Sequence, residues 1–282
     1  MFFLGLLEAQ ERLKKPLLER MIEPRVSVDS SYLSDADVDG GGGVEVLKNS
    51  LRVNNGFVGV QYTHWKFNWS DIVALPFGDG KTKPIEEMHR IQANFSLPYP
   101  INEKWFLLSQ ISLSSTYEKE MNDSYGGGVF SFLSYKMDKD HTFQFGAFAN
   151  YHPIKTLALP VMSYSYRSQQ RDGLQVVLGF PRTYIGYHLD TKTLVRFGAI
   201  FSQSVIKLSN ESVLEPRGYV ETKDYMSNIG ISYELDESLR IESDILYSLK
   251  REFNLYNSAG EEGDSYSIKP SLGVNVRVVY RF

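Results

Sequence analysis

Apolar and polar residues alternate at every second position along most of the chain after Pro24, and segment 239–253 shows this most clearly. Its apolar positions are Leu239, Ile241, Ile245, Tyr247, Leu249 and Phe253. Its polar positions are Arg240, Glu242, Asp244, Ser248, Lys250 and Glu252. Successive side chains of a strand point to opposite faces, so the pattern predicts amphipathic strands.

Turn-forming residues divide the pattern into fourteen predicted strands. They cover residues 23–33, 44–53, 57–69, 87–98, 104–117, 127–136, 141–151, 158–168, 174–180, 183–189, 193–208, 217–234, 239–253 and 267–282. The two strands beside Pro181 are short for a membrane crossing, which takes about 9–11 residues. The strand count is therefore fourteen, or twelve if the 174–189 pair does not span.

Three features favour a barrel over a soluble β-sandwich, whose strands also alternate. The polar face carries charges in mid-strand, and the strands exceed the usual length of about 5–6 residues. Short turns such as 102–104 also alternate with long loops such as 70–86. Bacterial outer-membrane barrels combine short periplasmic turns, longer extracellular loops and an even strand number. The predicted fold is all-β: a single up-and-down antiparallel transmembrane β-barrel over residues 23–282.

Composition narrows the function classes. The net charge of −4 provides no basic surface for nucleic acid. The mean hydropathy of −0.27, without a long apolar run, excludes a transmembrane helix. The chain has no cysteine, which excludes disulfides and thiolate chemistry. No cofactor is expected.

The first residues, MFFLGLLEAQ, resemble the end of a secretory signal peptide, with an apolar stretch before Ala9. A positively charged segment before that stretch is missing. The alternative is an amphipathic N-terminal segment. We expect residues 1–22 to be a residual signal peptide or an N-terminal periplasmic segment.

The segment at 273–282, GVNVRVVYRF, has one apolar face and one mostly polar face. Its apolar face is formed by Val274, Val276, Val278, Tyr280 and Phe282. This segment resembles the C-terminal signature of outer-membrane β-barrels, and the chain as a whole resembles a family of such barrels without assigned function. The resemblance implies a bacterial outer-membrane location, contact with outer-membrane lipid, and recognition of the five residues by the barrel-assembly machinery.

The alternation changes phase within segment 57–69. Val58, Val60 and Tyr62 are apolar at even positions, whereas Trp65 and Trp69 are aromatic at odd positions. An extra residue in a strand reverses the faces that follow it. We therefore expect a β-bulge near 63–64 and a place for both tryptophans in the aromatic girdle of the barrel.

Candidates for metal binding and catalysis are few. Asp35, Asp37 and Asp39, with Gly40, match the first half of an EF-hand calcium loop, but loop position 12 is Val46. An acidic, glycine-rich loop is the alternative. The sequence spacing of the five histidines indicates no metal pair; they are His64, His89, His141, His152 and His188. His141 and His188 are the candidates for an embedded hydrolase, but neither has a nucleophile and acid at a suggestive spacing.

Charged residues on the polar strand faces are the candidate functional set. They are Arg52, Arg90, Arg196, Arg240, Glu242, Asp244, Lys250, Glu252 and Arg277. Rows of such charges set ion selectivity in a pore, or neutralise one another and fill the lumen. The leading hypothesis is a non-enzymatic, porin-like passive channel for small solutes. The alternatives are a structural or surface-interaction barrel with a filled lumen, and a hydrolase. The sequence indicates no oligomeric state.

Overall fold

The computed structural model describes residues 23–168 and 172–282, and the expectation for residues 1–22 lies outside the described residues. Fifteen strand segments form one antiparallel sheet. Their bounds are β1 Pro24–Asp37, β2 Gly43–Asn55, β3 Val58–Ser70, β4 Glu87–Pro100, β5 Trp105–Tyr117, β6 Tyr125–Lys136, β7 His141–His152, β8 Lys155–Arg167, β9 Gly173–Gly179, β10 Arg182–His188, β11 Thr193–Lys207, β12 Tyr219–Glu234, β13 Leu239–Tyr256, β14 Glu262–Ile268 and β15 Ser271–Arg281. No helix among the described residues is long and apolar enough to span a membrane.

The sheet closes into a barrel of fourteen strands. Each strand pairs with the next along the chain, and β15 pairs with both β13 and β1. β14 and β15 are two parts of one strand, because β14 continues the pairing with β13 on the other side of Lys269 and Pro270. The predicted fold class is confirmed, with fourteen strands rather than twelve. We call the end with the short connections the turn end, and the opposite end the loop end.

The outer face of the barrel is apolar. The pairing of β15 with β1 and β13 places Val274 between Tyr32 and Ile245, and all three side chains are exposed. The same holds on the opposite wall, where Phe197 pairs with Ile229. In a hydrocarbon environment every backbone N–H and C=O group needs a partner, which a closed sheet supplies. An exposed apolar wall on a closed sheet is the arrangement expected in a bilayer.

The strands β9 and β10 are seven residues each and do not reach the loop end. β10 pairs with β11 only up to Ile200, so the loop-end part of β11 continues without it. This part crosses the interior to β5, where Lys207 pairs with Tyr117 in parallel. The N–H of Glu118 also donates to the carbonyl of Lys207 at 2.9 Å. The loop-end interior is therefore divided in two.

The prediction of a β-bulge near 63–64 is wrong. β2 and β3 pair without interruption, from Gly43 opposite Ser70 to Asn55 opposite Val58. Trp65 and Trp69, both expected in the outer girdle, face the interior: Trp65 packs against the buried apolar cluster, and Trp69 is 6% exposed. The phase of the strand does not change. Instead, the interior becomes apolar towards the loop end, while outward positions there become polar, such as Lys66 and Asn68.

A bulge does occur in β13. Tyr225 pairs with Lys250 while the next residue, Met226, pairs with Ser248, so Leu249 is the extra residue. Beyond it the faces are reversed. Arg251, which strict alternation would place on the same face as Leu249, is therefore inside and only 2% exposed.

Candidate functional site

A cationic cavity occupies the interior at the turn end. Its volume is about 240 Å³. Six cationic side chains and two carboxylates line it: Arg167, Arg182, Lys192, Arg196, Arg240 and Arg277, with Glu234 and Glu242. We call this cavity the turn-end vestibule. Its excess of positive charge attracts anions by simple Coulomb interaction.

Buried ion pairs hold part of the vestibule wall in place. The Arg196 guanidinium donates to Asp244 at 2.9 Å and to Glu242 at 3.3 Å. Asp244 also accepts a bond from Asn228 at 2.8 Å, and Glu242 pairs with Arg240 at 2.9 Å. Arg196, Glu242 and Asp244 are each below 10% exposed. Such a network is costly to break, because removal of one member leaves a buried charge without compensation.

Other arginines of the vestibule have weaker constraints. Arg277 donates to Asp29 at 2.9 Å, but its side chain remains 41% exposed. Arg182 lies over the ring of Tyr184, with its guanidinium carbon 5.1 Å from the ring centroid. Both side chains line the vestibule, where a solute inside it would contact them.

Above the vestibule, charged side chains lie beside an aromatic ring, a hydroxyl group and one another. Arg90 lies 5.6 Å from the ring centroid of Trp65 and donates to Thr116 at 2.9 Å. Arg251 pairs with Asp224 at 3.4 Å. These contacts form the middle layer of the interior.

An apolar cluster fills the interior at the loop end between β1–β4 and β11–β13. Phe67, Trp69 and Phe253 are at its centre, with ring centroids 6.2–6.4 Å apart. Residues of the connection 71–86 complete it, since Phe77 lies 5.5 Å from Trp69, and Ile85 is 1% exposed. The carbonyl of Ile85 also accepts a bond from the indole of Trp69 at 2.6 Å. The connection 71–86 therefore folds onto the barrel and covers this compartment.

The second compartment lies between β4–β8 and the crossing part of β11. It is about 100 Å³ and is lined by Arg90, Asn150, His152 and Gln203, among others. The tight β7–β8 turn covers it, since Lys155 donates to Glu221 of β12 at 2.9 Å. Glu221 is fully buried and also accepts from Asn254 at 3.1 Å and from Tyr256 at 3.2 Å.

The structure brings together most of the charged residues that the alternation indicated. Inward strand faces carry Arg52, Arg90, Arg196, Arg240, Glu242, Asp244 and Arg277. The placement of Lys250 and Glu252 in the lumen is wrong: the bulge at Leu249 turns both outward, where they form an ion pair with each other. Alternation alone cannot locate a bulge. Whether the inward charges serve selectivity or packing stays a prediction.

The five residues of the terminal signature all lie on the outer face. Val274, Val276, Val278, Tyr280 and Phe282 are exposed, and the rings of Tyr280 and Phe282 meet edge to face at 5.0 Å. Their role in assembly stays a prediction.

The calcium hypothesis receives no support from the three aspartates. Asp35 accepts a bond from Ser70 at 3.2 Å, and Asp37 pairs with Lys269 at 3.0 Å. Backbone conformation explains why glycine follows the aspartates. Gly41 has a φ of 126°, and a Cβ there would overlap the carbonyl of Ala74. The motif is a tight turn under connection 71–86.

Two histidines that are far apart in sequence are neighbours in the sheet. His64 and His89 are directly paired on β3 and β4, and their rings stack with centroids 5.1 Å apart. Sequence spacing gave no sign of this pair, because the register of β3 against β4 decides which residues lie opposite each other, and the long connection 71–86 does not fix that register. His141 bonds with Tyr164 at 2.7 Å and His188 with Gln175 at 3.0 Å, contacts that give no support to the hydrolase alternative.

The closed antiparallel wall, the apolar exterior and the charged interior define the class: a transmembrane β-barrel of the outer-membrane type.

Searches against protein-family models and against curated proteins found no match. Similar solved structures include the KdgM porin, at 11% identity over 91% of this chain and 99% of that chain, with a TM-score of 0.37. The NanC porin is 8% identical over 91% of this chain and 100% of its own, with a TM-score of 0.40. The toluene transporter TodX of P. putida is 8% identical over 98% of this chain and 92% of its own, also with a TM-score of 0.40.

Proposed function

We propose that this protein is a porin-like channel of the bacterial outer membrane for small anionic solutes. The observation that carries the proposal is the turn-end vestibule, where six cationic side chains face two carboxylates inside a barrel with an apolar exterior. A cleft lined by one sign of charge concentrates counter-ions and favours their entry. The proposal requires no catalytic step.

The connection 71–86 forms the closed gate of this channel. Leu75 and Phe77 anchor the connection in the loop-end cluster. The described interior holds separate cavities of about 240, 100 and 90 Å³. Passage of a solute therefore requires movement of the connection, of the crossing part of β11, or of both.

The apolar loop-end cluster also favours a second candidate function. A barrel whose interior is permanently filled would serve as a rigid membrane anchor, with its loops presented to a partner. The two candidates differ in one measurable property, since only the first conducts ions.

Planar-bilayer recording of the refolded protein tests the proposal. In a salt gradient of potassium chloride, the reversal potential of the wild type is expected to indicate anion preference. Substitution of Arg182 and Arg277 together by Glu should shift the potential towards cation preference. Lys250→Glu on the outer face is the matched control and should leave the potential unchanged.

A second variant addresses the gate. Replacement of Leu75 and Phe77 by Asn removes both apolar anchors and should raise the frequency or size of the open events. Absence of conductance in the wild type and in this variant, with both correctly folded, would establish the filled barrel instead.

The proposal includes a location, the bacterial outer membrane. The apolar exterior fits the hydrocarbon layer, and we propose that the assembly machinery binds the five outward residues of the terminal signature, Val274, Val276, Val278, Tyr280 and Phe282. Outer-membrane fractionation of cells that express the chain is the direct measurement. Recovery as a soluble monomer without detergent would contradict the location and the channel together.

A further inference from the structure

The outer face of β3 and β4 carries three metal-ligand side chains at one point near the loop end. They are His64, Glu87 and His89, and one ligand atom from each lies within 4.8 Å of the others. In the described part of the chain, this is the only group of three His, Cys, Asp or Glu side chains so arranged. We propose that it is a binding site for a divalent transition metal ion, with zinc as the representative ion.

The donor set determines the class of ion. Two imidazole nitrogens with one carboxylate suit zinc, copper or nickel, whereas magnesium and calcium prefer oxygen ligands alone. Zinc bonds of about 2.0–2.1 Å in a tetrahedron place ligand atoms roughly 3.4 Å apart. The Nε2 atom of His64 already lies 3.2 Å from the Oε2 atom of Glu87. A modest rotation of these partly exposed side chains completes the site.

Backbone pairing holds the two histidines in position. His64 is directly opposite His89, and Glu87 is two residues along the same strand face as His89. Cross-strand neighbours on one face are about 4.5–5.5 Å apart at Cβ, close enough to share an ion. The pair sits on two strands of the closed wall, so the site needs little ordering when it binds.

Tyr62 orients one of the ligands. Its hydroxyl lies 2.9 Å from the Nδ1 atom of His89. A hydrogen bond to one ring nitrogen fixes the orientation of the imidazole and leaves the other nitrogen for a metal. Tyr62 is thus a positioning residue, not a ligand.

Open space adjoins the site on the solvent side. Tyr62, Glu87 and His89 form part of a cleft of about 740 Å³, whose other walls include residues of the connection 71–86 and of the β11–β12 connection. Three protein ligands leave a fourth coordination position, as in catalytic and exchangeable zinc sites. That position faces the cleft, where water or a small ligand can occupy it.

Equilibrium dialysis of the full chain in detergent against zinc chloride tests the proposal. The wild type should retain one zinc ion per chain at neutral pH. His64→Ala and His89→Ala should each lower the zinc affinity by at least about tenfold, and Tyr62→Phe by a smaller factor. His141→Ala is the matched control, since His141 also contacts a tyrosine on the neighbouring strand; it should retain the ion.

Thermal unfolding provides a second readout that does not depend on metal analysis. Zinc should raise the unfolding temperature of the wild type and of His141→Ala, because it binds only the folded chain, and should leave His64→Ala and His89→Ala unchanged. Wild type without retained zinc, or equal retention by the His64/His89 double variant, would overturn the proposal.

Discussion

At the residue scale, one capping device recurs along the turn end. The carboxylate of Asp138 accepts bonds from the N–H groups of Asp140 and His141, and Asn102, Asp190 and Asp236 do the same two and three residues ahead. Asn and Asp favour turns because they can satisfy such backbone donors. The short connections thus share one chemistry, which the sequence already suggested through "NEK", "MDKD", "LDTK" and "LDES".

The charge of these caps is testable at Asp190. Hydrogen bonds from Lys192, followed by those from Thr193, hold the pKa of Asp190 below its usual value. Because the folded-state pKa is lowered, this stabilisation is present above the unfolded pKa of about 3.9 and is lost as pH falls through the folded value. We expect Asp190→Ala to destabilise the fold by roughly 1 kcal/mol at neutral pH. Asp190→Asn should be nearly neutral there and should lose the acid dependence.

Urea unfolding of the refolded protein at pH 7 and near pH 3 measures both effects. The natural Asn102 turn shows that an amide can accept the same bonds. If Asp190→Asn is as unstable as Asp190→Ala at pH 7, the cap depends on charge and not on acceptor geometry.

The outward position of Ile245 supports a second prediction at this scale. Ile245 is 61% exposed between Ile229 and Val274. An arginine at mid-depth on the lipid face costs about 2–4 kcal/mol, but only about 0–1 kcal/mol near the interface. Ile245→Arg should therefore lower the free energy of unfolding in liposomes far more than Leu235→Arg, which lies at the turn end. Equal costs for both would place this face outside the bilayer.

At the element scale, the alternation predicted the strands well and the interior less well. Predicted and observed bounds agree closely for most strands. An apolar outer face and a mostly polar inner face require the residue type to alternate at every second position. The sequence could not reveal the bulge at Leu249, which reverses the faces of Lys250 and Arg251, since both phases of β13 contain plausible outward residues. Nor did it reveal that Trp69 and Phe253 point inward.

The crossing of β11 to β5 is the element that no local pattern could predict. It depends on the early end of β10 and on contacts between residues about ninety positions apart. The chain has no cysteine, so an introduced pair reports on it without background. Cysteines at Tyr117 and Lys207 should form a disulfide on oxidation, because these residues are paired.

Titration of free thiols after oxidation gives the result. The control pair joins Tyr117→Cys with Val195→Cys near the turn end of β11, and should remain reduced. Reduced thiols in both pairs would mean that β11 follows the barrel wall to its end. In the channel proposal, the linked form should also conduct less than the form treated with a reducing agent.

At the scale of the whole molecule, the barrel and its cavities have different origins. The barrel closes because consecutive strands pair with each other and one seam joins the last strand to the first. At this seam β15 pairs with β1, from Arg25 opposite Arg281 to Leu33 opposite Gly273. The cavities follow from where inward side chains are large or charged, which depends on the register of all strands. The sequence therefore predicted the class of fold, whereas the vestibule, the packing of the connection 71–86 onto the barrel and the pair His64–His89 required the three-dimensional arrangement.

The seam also supports a prediction about assembly. Phe282 is 73% exposed beside Tyr280, and its N–H donates to the carbonyl of Pro24 at 3.1 Å. If the outward aromatic face of this segment is the feature that assembly factors bind, Phe282→Ala should lower the amount of folded protein in the membrane more than Arg281→Ala. Immunoblotting of heat-modifiable barrel in membrane fractions measures this. Equal amounts for the two variants would contradict that role.

The seam has a kinetic consequence as well. The residues it joins are separated by more of the chain than those of any hairpin, and contacts between distant residues are slow to form because the loop-closure entropy comes first. Until they meet, β1 and β15 are both unpaired sheet edges, and such edges readily add foreign strands. The chain is thus most prone to aggregation in the interval between hairpin formation and barrel closure. A factor that only shortened this interval, without binding the folded barrel, would act as a chaperone.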